Sequence, residues 1–194
     1  TGPGRRSLNL RAIMDEGKIL ICNLSRGRTG DDAASLLGSL LVTAIADAAM
    51  ARADTPEAHR RDWYLTCDEY QNVATEAFTS IFAEARKYRA PLLTIAHQFL
   101  DQVSDDIRAA VFGNVGSLVC FQCGAADAET LAEQLGGGIT AGDLMALPRY
   151  TAYVRLLVDG QPHTFSMQTL PPGRIRQGQR RAEKIRTNSR HRYS

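Results

Sequence analysis

The stretch Arg61–Gln98, RDWYLTCDEYQNVATEAFTSIFAEARKYRAPLLTIAHQ, decides how the rest of the chain is read. A short apolar run, Trp63–Cys67, ends in the paired acids Asp68 and Glu69. An amphipathic segment follows, in which Phe78, Ile81, Phe82 and Ala85 are spaced as one buried helix face. A second apolar run, Pro91–His97, ends in the amide of Gln98. Short apolar runs separated by a helical pattern predict βαβ units and a parallel sheet. Ligands of such sheets gather beyond the carboxyl ends of the strands, where Asp68, Glu69 and Gln98 all fall. The stretch therefore points to a nucleotide site.

Upstream of it, Thr1–Arg11 reads as an irregular lead-in and Lys18–Leu24 (KILICNL) as a buried strand. The loop Ser25–Gly30 leads to Asp31 and Asp32, acids suited to the positive end of a helix dipole. A helical stripe through Leu37, Leu41, Ala44 and Ala48 runs to about Arg52, and Thr55-Pro56 breaks it. Downstream, a short helix is predicted around Asp105–Phe112, a fourth strand over Ser117–Cys123 and a helix over Ala125–Leu135, stopped by Gly136–Gly138. Thr140 and Asp143 have the spacing of a capping box, with Asp in place of the usual Glu or Gln. Arg149–Val158 and Gln161–Gln168 alternate in polarity around Asp159-Gly160, a strong hairpin signal. The predicted fold is α/β: a mostly parallel sheet flanked by helices, with an antiparallel hairpin added at the C-terminal end. Pro171-Pro172 closes the folded part.

The chain has 194 residues, 44% hydrophobic and 23% charged, which suits one domain with a substantial core. No apolar run approaches the roughly 20 residues a bilayer-crossing helix needs, so no membrane span is expected. The first residue is Thr1, without a secretory leader, as in a piece of a longer chain. The net charge of +2 is unevenly spread. Arg174–Ser194 holds eight basic residues and one acid (+7), leaving 15 basic and 20 acidic residues (−5) before it. Residues 173–194 thus read as a basic, disordered tail, either simply solvated or meeting nucleic acid or anionic lipid. Cys22, Cys67, Cys120 and Cys123 all lie in apolar strand-like runs, the pattern of buried free thiols. Cys120 and Cys123 have CxxC spacing, but positions i and i+3 of a strand face opposite ways, which argues against a shared metal ion.

An apolar strand ending in Asp-Glu is the form of the second nucleotide motif of P-loop ATPases. There the aspartate holds the magnesium shell and the following glutamate orients or deprotonates the attacking water. The alternative for Asp68 and Glu69 is a pair of solvated strand-end acids, or a cap on the next helix. Gln98 at the neighbouring strand end could hydrogen-bond a terminal phosphate and the lytic water, or be an ordinary loop amide. His97 reads as a satisfied strand-end histidine. Arg86, Lys87 and Arg89 cluster at the end of the intervening helix. One of them could reach the nucleotide of an adjacent subunit, or all could sit there because a helix C-terminus favours cations. Arg26 and Arg28 read as a solvated basic loop. No glycine-rich loop with the spacing GxxxxGK[ST] is present: Gly17-Lys18 is followed by isoleucine, and Gly136–Gly138 by no lysine.

In order, IMDEGKILICNLSRGRTG, YLTCDEYQNVA, FAEARKYRAPLLTIAHQFLDQV, AVFGNVGSLVCFQCGAADAETLA and ITAGDLMALPRYTAYVRLLVDGQ resemble the C-terminal half of the ATPase domain of type IV secretion coupling proteins. These are the TraG/TraD-like conjugative transfer ATPases, related to the FtsK/HerA pumping ATPases, and the resemblance covers about Ser7 to Pro172. It implies a RecA-like P-loop NTPase fold, a homohexamer, ATP and Mg2+. It further implies a place at the cytoplasmic side of the bacterial inner membrane, recruiting and pumping DNA or protein substrates into a secretion channel. Carried over by residue, Asp68 is the magnesium-side acid, acting through water, and Glu69 the catalytic glutamate. Gln98 is the γ-phosphate sensor, and Arg86 the arginine acting in trans, with Arg89 as its substitute. The membrane anchor and phosphate loop are implied upstream of Thr1, so this stretch alone is expected to lack turnover. Docking of a relaxosome accessory protein and of secretion channel components is implied as well. The competing reading is a non-catalytic DNA- or partner-binding module on an α/β scaffold with a basic tail.

Overall fold

The computed structural model describes residues 8–25, 27, 30–74, 81, 84–90, 92–96, 99–171, 173 and 178–193, with backbone alone at 85, 86, 92, 93, 192 and 193. The protein is mixed α/β, with a small parallel sheet and a separate antiparallel one.

Helix α1 (Leu10–Asp15) starts where the Asn9 side chain accepts from the Ala12 N–H at 2.9 Å. It ends in a Schellman arrangement, Gly17 N–H to Met14 O and Lys18 N–H to Ile13 O. This helix was not expected, because its six residues are too few for a periodic stripe to stand out. Gly17-Lys18 is thereby a helix stop. Helix α2 (Asp31–Met50) begins with Asp31 and Asp32 as expected and buries Ala34, Gly38, Val42, Ile45, Ala46 and Ala49 along one side. That side packs with Ile13, Met14, Trp63 and Ala90 at one end, and with Val73 and Ile81 at the other. Together with the turn after it, α2 (Asp31–Asp54) is long and apolar enough by length and composition to cross a membrane. The sequence expectation that no run reaches that length is corrected to this extent, while the small-residue stripe of α2 packs against this protein's own core.

Strand β1 (Tyr64–Cys67) pairs in parallel with β2 (Leu92–Ile95), Tyr64 opposite Leu92 and Cys67 opposite Ile95. Leu65, Cys67 and Ile95 pack onto the clusters under α2, while Tyr64 and Thr66 point to the open face. Of the helix expected between these strands, most residues lie outside the described ones; Ile81 is buried where the stripe placed it. Helix α3 (Asp105–Asn114) packs Ile107 and Val111 against Tyr70 and Val103 below the ends of β1 and β2.

Strand β3 (Leu118–Cys120) does not join the parallel pair. It runs antiparallel to β4 (Thr151–Val158), which pairs with β5 (Gln161–Gln168). The hairpin is the predicted one: Asp159 (φ 51°) and Gly160 (φ 78°) both adopt the positive φ of a type I′ turn. Pro162 is tolerated because β5 is an edge strand. Helices α4 (Ala125–Leu135) and α5 (Ala141–Met145) cover this sheet around Cys120, Ala132, Leu135 and Leu144. Thr140 and Asp143 form the complete capping box, and that contact holds the Asp143 carboxyl below its ordinary pKa. The last carbonyls of α4 are met by side chains of the sheet: Arg155 donates to Gln134 O, and Thr164 to Leu135 O at 2.7 Å. Gly137 (φ 66°) passes so close to Thr164 that a Cβ there would lie 2.8 Å from the threonine Cβ. The glycine run is thus a helix end pressed onto a strand.

Four further expectations are corrected. Residues 18–24 form no strand; Ile19 and Ile21 are 91% and 73% exposed, because no strand among the described residues lies beside them to complete a ladder. The fourth strand stops at Cys120, so Cys123 is off the ladder and shares one core cluster with Cys120, whose thiol donates to the Phe121 carbonyl at 3.3 Å. The opposite-faces argument therefore does not apply to that pair. Of the four thiols only Cys120 is fully buried, and Cys22 is exposed. Finally, residues 178–193, read as an irregular tail, form helix α6 (Gly178–Tyr193).

Candidate functional site

Asp68 and Glu69 form the turn that ends β1, and both are exposed. Glu69 takes the left-handed conformation (φ 51°, ψ 49°), a costly choice for a residue with a Cβ. The turn is held on both sides. The Ala96 N–H donates to Cys67 O at 2.9 Å, continuing the ladder one residue past β2, and the Tyr70 N–H donates back to Ala96 O at 3.2 Å. Tyr70 is 2% exposed and anchors the turn from below. Gln71 Nε2 donates to Glu69 Oε2, which fixes the direction of the carboxylate. Burial, with the Asp68 carboxylate next to it, pushes the Cys67 thiol up to about 11, so the thiol stays neutral beneath the acids.

Gln98 and His97 lie outside the described residues. The chain on either side of them stays at the same sheet edge: Ala96 bonds to the Asp68–Glu69 turn, and Gln102 lines the same cleft as both acids. Arg26 and Arg28 also lie outside the described residues.

The cations sit at the other end of the strands. The Trp63 N–H donates to Arg89 O at 3.1 Å, so Arg89 stands at the start of the parallel pair. From Trp63 to Asp68 is five strand steps, roughly 16 Å. Within one chain Arg89 therefore cannot meet the acids. It is also left-handed (φ 57°) and forks onto Asp62, Nε to Oδ1 at 2.6 Å and Nη2 to Oδ2 at 3.1 Å. That contact raises the Arg89 pKa above its ordinary value. The backbone of Arg86 lies in the 3-10 turn Ala85–Tyr88 before β2, and its side chain lies outside the description. Lys87 pairs with Glu84 at 3.1 Å and lies over the Tyr88 ring.

Sequence reasoning missed Arg52. It is fully buried, 3.0 Å from Asp15 Oδ1 through an Nε whose N–H is not aimed at any acceptor, and it donates to Arg61 O at 2.6 Å and Tyr88 O at 3.1 Å. It ties together α1, the end of α2 and the leads into both parallel strands. Nothing in its surroundings in sequence separates it from a surface arginine. Asp127 was missed too. It is 4% exposed and accepts from the Leu100 N–H at 3.3 Å, joining the loop after β2 to the start of α4.

The acids open onto a cleft of about 940 Å³. One wall is residues 19–25, the other is β1, and the floor is Gly38, Val42 and Ile45 of α2. A volume of this size is in the general range of small-molecule and cofactor pockets, about 300–1,000 Å³. Asp68 and Glu69 stand at its rim as two adjacent carboxylates, and no cluster of three or more metal-ligating side chains occurs among the described residues. An all-protein cation cage is therefore not formed there by the described residues. A pair of acids fits a magnesium ion that keeps most of its water and takes its remaining ligands from phosphate. No part of the described chain fits the phosphates themselves, since Gly17 ends a helix and Gly137 is packed on Thr164. Comparison with protein-family models and with curated proteins finds no match to this chain.

Proposed function

We propose that this chain is the acid-bearing half of an ATP-hydrolysing motor of the type IV coupling class, with a RecA-like P-loop fold. In its assembled form, a hexamer at the cytoplasmic side of a bacterial inner membrane, it drives DNA or protein substrates into a secretion channel. The observation that carries the reading is the turn after β1: two exposed acids, Glu69 held left-handed and oriented by Gln71, bonded to the end of the parallel neighbour β2 and opening onto a cleft.

Bound Mg·ATP supplies the electrophilic γ-phosphorus and the leaving group. Asp68 would hold a hydrated magnesium ion, which would supply positive charge to the phosphates. Glu69 holds the attacking water and takes its proton, with a carboxylate that Gln71 keeps from rotating away. Gln98, three residues beyond β2 in the sequence, is the proposed sensor of the terminal phosphate. The phosphate-cradling loop belongs to chain outside Thr1–Ser194, entering the cleft beside β1. Arg86 serves the nucleotide of an adjacent subunit. Its place at the start of the strands supports action across a subunit boundary over action on its own acids.

With a phosphate-loop segment restored upstream, Glu69→Gln should bind ATP as the parent does and lose at least about 100-fold in turnover, in line with removal of a general base. Turnover within about twofold of the parent, at unchanged ATP affinity, removes Glu69 from the mechanism.

A further inference from the structure

Helix α6 carries six basic residues and one acid in 16 residues, a net charge of +5. Arg180, Arg181, Lys184, Arg186 and Arg190 are all exposed. At about 100° per residue the charges divide around the helix in a definite way. Ile185, Ser189 and Ala182 fall within roughly 60° of one another and form a narrow, uncharged strip. Arg181 flanks it on one side and Arg186 and Arg190 on the other, while Glu183, Arg180 and Lys184 lie round the back of the helix.

We propose that α6 is a nucleic-acid interface that lies in the major groove of a duplex, with its uncharged strip toward the groove floor and its two cationic flanks on the two phosphate rows. A helix about 10–12 Å across fits a groove about 12 Å wide. Cations on both flanks match phosphates on both sides, which a single acidic protein patch does not offer. A lipid surface would instead need a broad apolar face. Here Ile185 is the one large apolar side chain on the strip, and it is 55% exposed. The like-charged pair Arg186/Arg190 is spaced i,i+4 and opposes the free helix. Phosphates on the flanks relieve that repulsion, so binding also increases helicity. The inference is independent of ATP hydrolysis, since none of these residues belongs to the cleft.

The test titrates the full chain against a duplex of mixed sequence while salt is raised from about 50 to 200 mM, with helicity followed by circular dichroism. Three phosphate contacts predict log K against log salt with a slope of about −2 to −3, and a rise in helicity on binding. Replacing Arg181, Arg186 and Arg190 together by Gln should weaken binding at least about tenfold at low salt and flatten the slope. Arg180→Gln, on the back of the helix, should change the slope by less than about 1. A triple variant that is as helical as the parent and binds equally well overturns the proposal. So does an Arg180→Gln effect as large as that of the flanks, or tighter binding to phosphatidylserine vesicles than to the duplex.

Discussion

Glu69 is the residue at which local cost and chemistry meet. A left-handed backbone costs a residue with a Cβ about 1–2 kcal/mol, and glycine avoids the cost at the price of a floppier unfolded chain, about 0.5–1 kcal/mol. Glu69→Gly should therefore leave the fold as stable as the parent or up to about 1 kcal/mol more stable, measured by urea unfolding, while removing the proposed base. A clear loss of stability would mean that the side chain supports the turn more than it strains it. Asp68 and Glu69 were legible in the sequence as a strand end. The left-handed turn was not, because its conformation is set by the bonds between Ala96 and residues 67 and 70, which are distant in sequence.

At the level of elements, the contact that seats the parallel sheet is the close approach of α2 to Val73. A Cβ on Gly38 would lie 2.2 Å from Val73 Cγ1. Alanine would improve helix propensity by up to about 1 kcal/mol, but overpacking costs about 1–3 kcal/mol, so Gly38→Ala should be destabilising by about 1–2 kcal/mol. Adding Val73→Ala should recover most of that loss; thermal unfolding of the single and double variants measures it. Strictly additive losses would show that the two sites do not touch. The helix α2 itself, the hairpin and the capping box were readable, because each depends on residues within a few positions of one another. The stripe expected through Leu37, Leu41, Ala44 and Ala48 was not realised: Leu37 is 50% exposed, Ala44 is exposed, and the buried side runs through Ala34, Gly38, Val42, Ile45 and Ala49. The strand expected at residues 18–24 was not realised, although its composition is that of a buried strand. A ladder needs a neighbour, and the cleft separates this run from β1.

Across the whole molecule, Arg52 joins α1, α2 and both strand leads through one buried guanidinium. Arg52→Leu keeps much of the volume but leaves the Arg61 and Tyr88 carbonyls and the Asp15 carboxylate without it. Removing one partner of a buried charged network costs about 3–5 kcal/mol. The expected result is a drop of that size in unfolding free energy, with Arg52→Lys recovering only part of it because the ammonium cannot fork to both carbonyls. A loss below about 1 kcal/mol would show that water replaces the guanidinium. The same scale explains why one expected sheet became two. β3 is only three residues long, and it found its partner in the hairpin instead of in β2.

The amino-acid sequence alone determined the α/β class, the parallel pairing that follows from apolar runs around a helical segment, the hairpin turn, the stop of α4 at Gly136–Gly138 and the basic character of the last segment. Each of these rests on backbone preferences and on period, which act over a few residues. Tertiary structure decided the split into two sheets, the left-handed turn at Glu69, the burial of Arg52 and the approach of Cys123 to Cys120. These depend on which distant edge or charge happens to lie alongside, and packing free energy, unlike propensity, is a property of pairs that the chain brings together only on folding.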